Sequence, residues 1–226
     1  MILAGGLGTR LRSVVSDRPK VMATVNGYPF IIYLLEQLID DGFESVIILC
    51  GYLGAMIKDY FGNNYKTLDI IYNQEDTPLG TGGSIKLAAK KIPQEQILVL
   101  NGDTYNSVSK KLFVEEVPFK KEAILTKVVD DTSRYGRIEV DSNNKIISFN
   151  EKKPCKYSGI INAGSYIILK ENILIYKKET FSLENEYFPM RIKNSEVLSI
   201  QKEGVFIDIG IPDDFYAASN IMKSIL

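Results

Sequence analysis

The residues most able to do chemistry begin at Gly5-Gly6-Leu7-Gly8, which follows the apolar run Ile2-Leu3-Ala4 and leads into Thr9, Arg10, Arg12, Arg18 and Lys20. Glycines let the backbone approach a ligand and turn N–H groups toward it. The cations that follow suit a polyanion such as a nucleoside triphosphate. Two familiar phosphate loops do not fit. The dinucleotide fingerprint needs a glycine where Leu11 stands, and the second apolar run leads into Gly51 rather than an acid for a ribose. The P-loop's Gly-Lys-Ser/Thr is absent as well. The plain alternative is a tight turn with solvated basic side chains.

Acids form a second group. Asn101-Gly102-Asp103 follows an apolar strand-like run, which places a carboxylate where ligands bind in open α/β sheets. Asp208 lies inside the apolar run Phe206-Ile207-Asp208-Ile209, and a metal would offset the cost of burying its charge. Mg²⁺ commonly takes one or two carboxylates together with substrate phosphates, so Asp103 and Asp208 are the candidate metal ligands. The competing roles are a turn cap for Asp103 and a salt bridge or cap for Asp208.

A third group surrounds Leu79-Gly80-Thr81-Gly82-Gly83, an element able to start a helix with its backbone against a flat ligand. Glu75, just before it, is a candidate base reader. A carboxylate accepts the adjacent N1–H and N2–H of guanine, whereas uracil and thymine suit an amide better. Glu75 and Asp76 could equally be solvated loop acids. Tyr135-Gly136, Glu151-Lys152 and Asn162-Ala163-Gly164 suit sugar hydroxyls and a sugar phosphate, each weakly by itself.

The chain has 226 residues, enough for one α/β domain that needs no disulfide or metal staple. A net charge of −1 gives no field to attract nucleic acid or membrane, so the basic N-terminal cluster is a local feature. The two cysteines, Cys50 and Cys155, are too far apart in sequence to read as a zinc motif, and Cys50 reads as core. No run reaches the length of a membrane span, and the apolar N-terminus is too short for a signal peptide; a cytoplasmic location is the expectation. The complete absence of histidine excludes histidine-based triads and histidine-ligated zinc hydrolases. Chemistry must then use carboxylates, Lys, Arg, hydroxyls, backbone dipoles and Mg²⁺.

The positioning elements change character along the chain. Strand-like runs at 2–4, 46–50, 68–72 and 96–100 alternate with helical patterns at 29–41, 53–61 and 82–91, which predicts a mostly parallel sheet with helices on both faces. The second half reads as strands at 122–129, 136–140, 145–150, 159–169, 197–200 and 204–209, with turn chemistry at 141–144 and a closing loop and helix at 210–225. One domain is expected, with a nucleotide-binding half over about 1–105 and a sugar-phosphate-binding half over about 106–226.

Taken together, these motifs resemble the sugar-1-phosphate nucleotidyltransferases, and the resemblance runs along nearly the whole chain in the family's order. It implies an α/β, Rossmann-like, mostly parallel mixed sheet flanked by helices (a nucleotidyltransferase fold of the GT-A type) with a small sugar-binding β subregion. It also implies roles. Leu3, Ala4, Gly5, Gly6, Gly8, Thr9, Arg10, Glu75, Leu79, Gly80, Thr81, Asn101 and Gly102 would bind the nucleotide. Tyr135, Gly136, Glu151, Lys152, Asn162 and Gly164 would bind the sugar phosphate. Arg10, Lys20, Asp103 and Asp208 would serve catalysis, the two aspartates through Mg²⁺. Ser13-Val14-Val15 replaces the family's common Pro-Leu-Thr, and Phe206 and Gly210-Ile211-Pro212 replace its Trp and Gly-Thr-Pro. Glu75, where uridylyl and thymidylyl enzymes usually have Gln, resembles guanylyltransferases; the segment Arg12 to Lys20, the ending Phe206 to Asp214 and the short length resemble those of heptose 1-phosphates, with those of mannose 1-phosphate as the alternative. The implied partners are GTP, a sugar 1-phosphate and the product pyrophosphate, with no nucleic acid or membrane; a homo-oligomer is compatible with the resemblance. The implied product feeds bacterial surface polysaccharide. A silent regulatory relative would have lost Arg10, Lys20, Asp103 or Asp208, and all four are present.

Overall fold

A computed structural model describes residues 1–6, 8, 11, 14–150, 157–194 and 197–225. The chain forms two compact units. One comprises Met1–Pro78, Leu100–Lys111 and Val205–Leu226; the other comprises Leu79–Val99 and Leu112–Gly204.

The first unit is built on parallel strands. Ile2–Ala4 pairs with Ser45–Cys50, which pairs with Leu68–Gln74. On the other side, Leu100 and Asn101 run parallel to Ile2 and Leu3. Ile2, Val46, Ile48, Leu49, Ile70 and Leu100 are all buried, as continuous apolar runs require when helices cover a parallel sheet. The helix Phe30–Asp40 buries Phe30, Ile31, Leu34, Leu35 and Leu38. Pro29 precedes it with extended dihedrals instead of occupying its first turn. Its C-terminal end is closed by Gly42 at φ +77°, with Gly42 N–H on Ile39 O and Phe43 N–H on Leu38 O. That pairing satisfies two carbonyls that the helix end would otherwise leave open.

Thr104–Asn106, a short strand missed by the sequence pattern, pairs antiparallel with Phe206–Asp208, which falls within the strand expected over 204–209. Lys110 pins the turn after the first of these strands. Its buried ammonium donates to Asn106 O at 3.1 Å, Asn106 Oδ1 at 2.6 Å and Val108 O at 2.7 Å. Burial pulls the Lys110 pKa from 10.5 down to about 7, with Asp41 acting the other way. Between those values the unfolded chain binds the extra proton, so this group makes stability rise with pH from about 7 and contribute no slope below it. The urea midpoint should therefore climb between about pH 7 and pH 9.5, and Lys110→Met should flatten that climb.

The second unit is mostly antiparallel. Glu122–Val129 pairs with Gly159–Leu169, and Arg137–Val140 pairs with both Ile146–Asn150 and Gly159–Leu169. Val197–Gln201 adds a parallel edge on Glu122–Val129. The 122–169 pairing shifts register between Asn162 and Tyr166, where Gly164 has φ +75°. Such a bulge turns a side chain away from the regular alternation. The expected α/β architecture thus holds, with a parallel main sheet in the first unit and mixed strands in the second. Among the described residues no helix is long and apolar enough to cross a membrane.

Candidate active site

In the first unit the carboxyl ends of the parallel strands converge. Gly5 follows Ile2–Ala4, Gly51 follows Ser45–Cys50, and Glu75 follows Leu68–Gln74. A Cβ at Gly51 would lie 2.7 Å from Gly5 O and 3.0 Å from Glu75 Oε1, and one at Gly5 would lie 3.2 Å from the same Oε1. Both glycines therefore leave room for the Glu75 carboxylate beside the loop. Burial and the Glu75 charge push the Cys50 thiol up to about 11, which makes it an inert core side chain. Gly8, at φ +59°, continues the turn. Gly6, Gly8, Leu11, Val15, Ser16, Arg18, Pro19, Lys20 and Tyr52 line a pocket there. Tyr52 carried no signal in the sequence. Arg18 is engaged by its neighbour, with Nε on Asp17 Oδ1 at 3.0 Å and Nη2 on Oδ2 at 2.8 Å. Thr9 and Arg10 lie outside the described residues.

Asp103 and Asp208 are brought together by the short ribbon. Asp208 pairs with Thr104, and Ile209 N–H donates to Asp103 O at 3.0 Å. Lys20 donates to Asp103 Oδ2 at 2.6 Å, and the Thr104 hydroxyl donates to Oδ1 at 3.2 Å. Burial raises the Asp103 pKa, but the Lys20 charge and these two bonds outweigh it and hold the carboxyl below its usual range. Asp208 is half-buried between Ile207 and Ile209, and its Oδ1 accepts Gly210 N–H at 2.6 Å. A Cβ at Gly210 would lie 2.6 Å from that oxygen and 3.4 Å from Lys20 Nζ, so the ammonium and both aspartates share one corner of the unit. Among the described residues no group of three or more His, Cys, Asp or Glu could hold a metal.

Gly102 sets the position of Asp103. Its N–H donates to Leu3 O at 3.0 Å, while a Cβ there would meet the same oxygen at 2.4 Å and Val21 Cγ1 at 2.7 Å. Gly102→Ala should therefore cost about 1–3 kcal/mol by overpacking. A lowered denaturation midpoint checks this, and turnover should fall with it as Asp103 is displaced.

In the second unit the helix Gly80–Ala89 begins two residues before the expected 82. Its glycines have an internal reason. A Cβ at Gly80 would lie 2.5 Å from Phe181 O, one at Gly82 2.1 Å from the Phe181 ring, and one at Gly83 2.3 Å from Glu179 O. The glycine faces are thus pressed against the chain's own 179–181 segment, a packing reason for glycine at these positions. Leu79 precedes the helix, its carbonyl accepting Phe181 N–H at 3.0 Å. The Thr81 hydroxyl donates to Glu184 Oε2 at 2.9 Å and accepts Leu183 N–H at 2.8 Å.

Tyr135 and Gly136 immediately precede the strand Arg137–Val140, and Gly136 O accepts Asn162 N–H at 3.2 Å. The two sugar-type motifs are therefore neighbours. Asn162 sits at the bulge, with Oδ1 accepting Gly164 N–H at 2.9 Å and Nδ2 donating to the Tyr166 hydroxyl at 2.8 Å. Glu151 and Lys152 lie outside the described residues.

A family model described as "Nucleotidyl transferase" matches residues 1–224. The chain belongs to the nucleotidyl transferase family. It is 39% identical over 229 residues to a D-glycero-alpha-D-manno-heptose 1-phosphate guanylyltransferase of Aneurinibacillus thermoaerophilus, covering 99% of this chain and 97% of that protein. The enzyme of the same name from Campylobacter jejuni is 38% identical, with 96% of each chain covered. The mannose-1-phosphate guanyltransferase of Debaryomyces hansenii is 33% identical over 97% of this chain but only 63% of its own length. Among solved structures, HddC from Yersinia pseudotuberculosis superposes with a TM-score of 0.89 at 38% identity, covering 97% of this chain and 96% of that one. Its complex with GMP-PN superposes at 0.86. As a member of this family the chain is a nucleotidyltransferase.

Proposed function

We propose that the chain acts as one catalytic domain that joins GTP to D-glycero-α-D-manno-heptose 1-phosphate, giving GDP-heptose and pyrophosphate. The observation that carries this reading is the corner formed by Lys20, Asp103 and Asp208 in the unit that holds the glycine turn. Near-full-length similarity to two heptose 1-phosphate guanylyltransferases supports the choice of sugar. The position of Glu75 against Gly5 and Gly51 supports the choice of base.

A phosphate monoester loses its second proton near about pH 6, so the sugar phosphate arrives ionised and needs no general base. A chain without histidine is suited to that reaction. Its remaining task is to place two anions in line and to stabilise charge as it moves from the α-phosphate to the departing pyrophosphate. The glycine-turn N–H groups and Arg10 receive the β- and γ-phosphates, Lys20 the α-phosphate or the sugar phosphate, and Lys152 the sugar phosphate. Tyr135, Gly136, Glu151, Asn162 and Gly164 receive the heptose. Asp103 and Asp208 would hold Mg²⁺: two carboxylates, one in a strand and one in the turn leading into its partner strand and kept ionised, are the hard oxygen donors this ion takes when phosphates complete its shell. When bound, the ion neutralises phosphate charge.

Pyrophosphate release from a matrix of five nucleoside triphosphates and heptose, mannose and glucose 1-phosphates tests the proposal. GTP with heptose 1-phosphate should give the highest kcat/KM. A maximum at mannose 1-phosphate would replace the sugar, and a maximum at another nucleotide would replace the base.

A further inference from the structure

We infer that Glu184 is a positioning residue whose carboxylate joins the nucleotide-side Thr81 to the sugar-side Asn162, so that each substrate strengthens binding of the other. The inference rests on the nucleotide-binding role that the family resemblance implies for Thr81 and on the role proposed for Asn162. All the groups involved lie in the second unit.

Glu184 stands in the turn Leu183–Tyr187, a π-helical turn whose N-cap Ser182 accepts Asn185 N–H. An ionised carboxylate only accepts hydrogen bonds. Oε2 accepts the Thr81 hydroxyl at 2.9 Å and the Ser182 hydroxyl at 3.2 Å; Oε1 accepts the Tyr166 hydroxyl at 3.2 Å. Each hydroxyl has a single proton. With that proton committed to Glu184, Thr81 Oγ1 and the Tyr166 oxygen can only accept from their other neighbours. Thr81 Oγ1 accepts Leu183 N–H at 2.8 Å, and the Tyr166 oxygen accepts Asn162 Nδ2 at 2.8 Å.

The polarity therefore runs one way, from Asn162 through Tyr166 to Glu184, and from Leu183 through Thr81 to the same carboxylate. It fixes which end of the Asn162 amide is nitrogen, since Oδ1 must then accept Gly164 N–H at 2.9 Å. Tyr166 is fully buried, so its hydroxyl has no bulk water to turn to. A ligand that moves Thr81 pulls on one carboxylate oxygen, and one that moves Asn162 pulls on the other through Tyr166. Ordering by the first ligand leaves less to be ordered by the second, which gives positive coupling.

The test is binding of D-glycero-α-D-manno-heptose 1-phosphate with and without a saturating GTP analogue blocked by an α,β-methylene bridge. In the wild-type chain the analogue should tighten sugar-phosphate binding within the usual coupling range of about 5–150-fold. Glu184→Gln leaves one acceptor and one donor where three hydroxyls need acceptors, and should reduce that factor toward 1. Tyr166→Phe removes only the relay and should do the same while the affinity for the GTP analogue alone stays at the wild-type value. It decides the question by itself if Glu184→Gln does not fold. No coupling in the wild type, or wild-type coupling in Tyr166→Phe, would overturn the inference. Failure of the wild type to bind either ligand would instead overturn the proposed function.

Discussion

Asp103→Asn lowers pyrophosphate release by at least about 10²–10³-fold, the loss typical when one preorganised charge-stabilising group is removed from an active site. The fold should persist. Asparagine has the same shape, the main-chain bond from Ile209 N–H to Asp103 O does not involve the side chain, and Gly102 still anchors the turn on Leu3 O. What disappears is the charge. Lys20 Nζ keeps a neutral oxygen within reach, but its 2.6 Å charge-assisted bond becomes an ordinary one. Of the two adjacent carboxylates, Asp208 alone is left as a hard anionic donor, and it is already committed through Oδ1 to Gly210 N–H. The Asp103 side chain is 34% exposed, so screening by water keeps the stability change small. Single-turnover pyrophosphate release beside a thermal melt separates the effects: slow chemistry at an unchanged midpoint is the expected pair. Near-wild-type turnover would remove Asp103 from the reaction.

Asp103 and Asp208 could be singled out and paired as metal ligands, but the strand pairing that brings them together could not be read. Asp208 stands out as an acid inside an apolar run, and Asp103 as one just past the end of another. Their adjacency depends on Thr104–Asn106, a strand of three residues with no apolar alternation to announce it. The parallel strands were legible because burial on both faces demands unbroken apolar runs, as at Ser45–Cys50. The glycines at 80, 82 and 83 were visible, but their partner, the 179–181 segment, is distant in sequence and carries no glycine-specific signal. Glu184 was invisible for a related reason. In Leu183-Glu184-Asn185-Glu186-Tyr187 the two acids look alike, and only the packing sends one to Thr81 and Tyr166 and the other to Lys178. Local pattern thus revealed elements and turn chemistry, while pairings between distant polar side chains emerged only from the folded chain.

Glu75→Gln should cut the preference for GTP over UTP and dTTP by about 5–150-fold, the equivalent of about 1–3 kcal/mol for a lost bidentate base contact. The sequence places Gln74 and Glu75 side by side, so either could read a base. Gln74 Nε2 donates to Gly51 O at 3.0 Å, which binds that amide to the backbone. The Glu75 carboxylate faces the glycines at the strand ends instead, with Oε1 close to the Cβ directions of Gly5 and Gly51. A carboxylate there offers two acceptors to the paired N–H groups of guanine. Glutamine offers one acceptor and one donor, so one guanine N–H loses its partner and meets a like group, while a pyrimidine edge gains a match. The substitution conserves shape, so Gly5 and Gly51 still fit around it. The ratio of kcat/KM values for GTP and UTP, measured with the same sugar phosphate, reads the effect directly. The change should come mainly from loss on GTP. An unchanged ratio would show that the base is recognised elsewhere, and would leave Glu75 as a filler of the space those two glycines create.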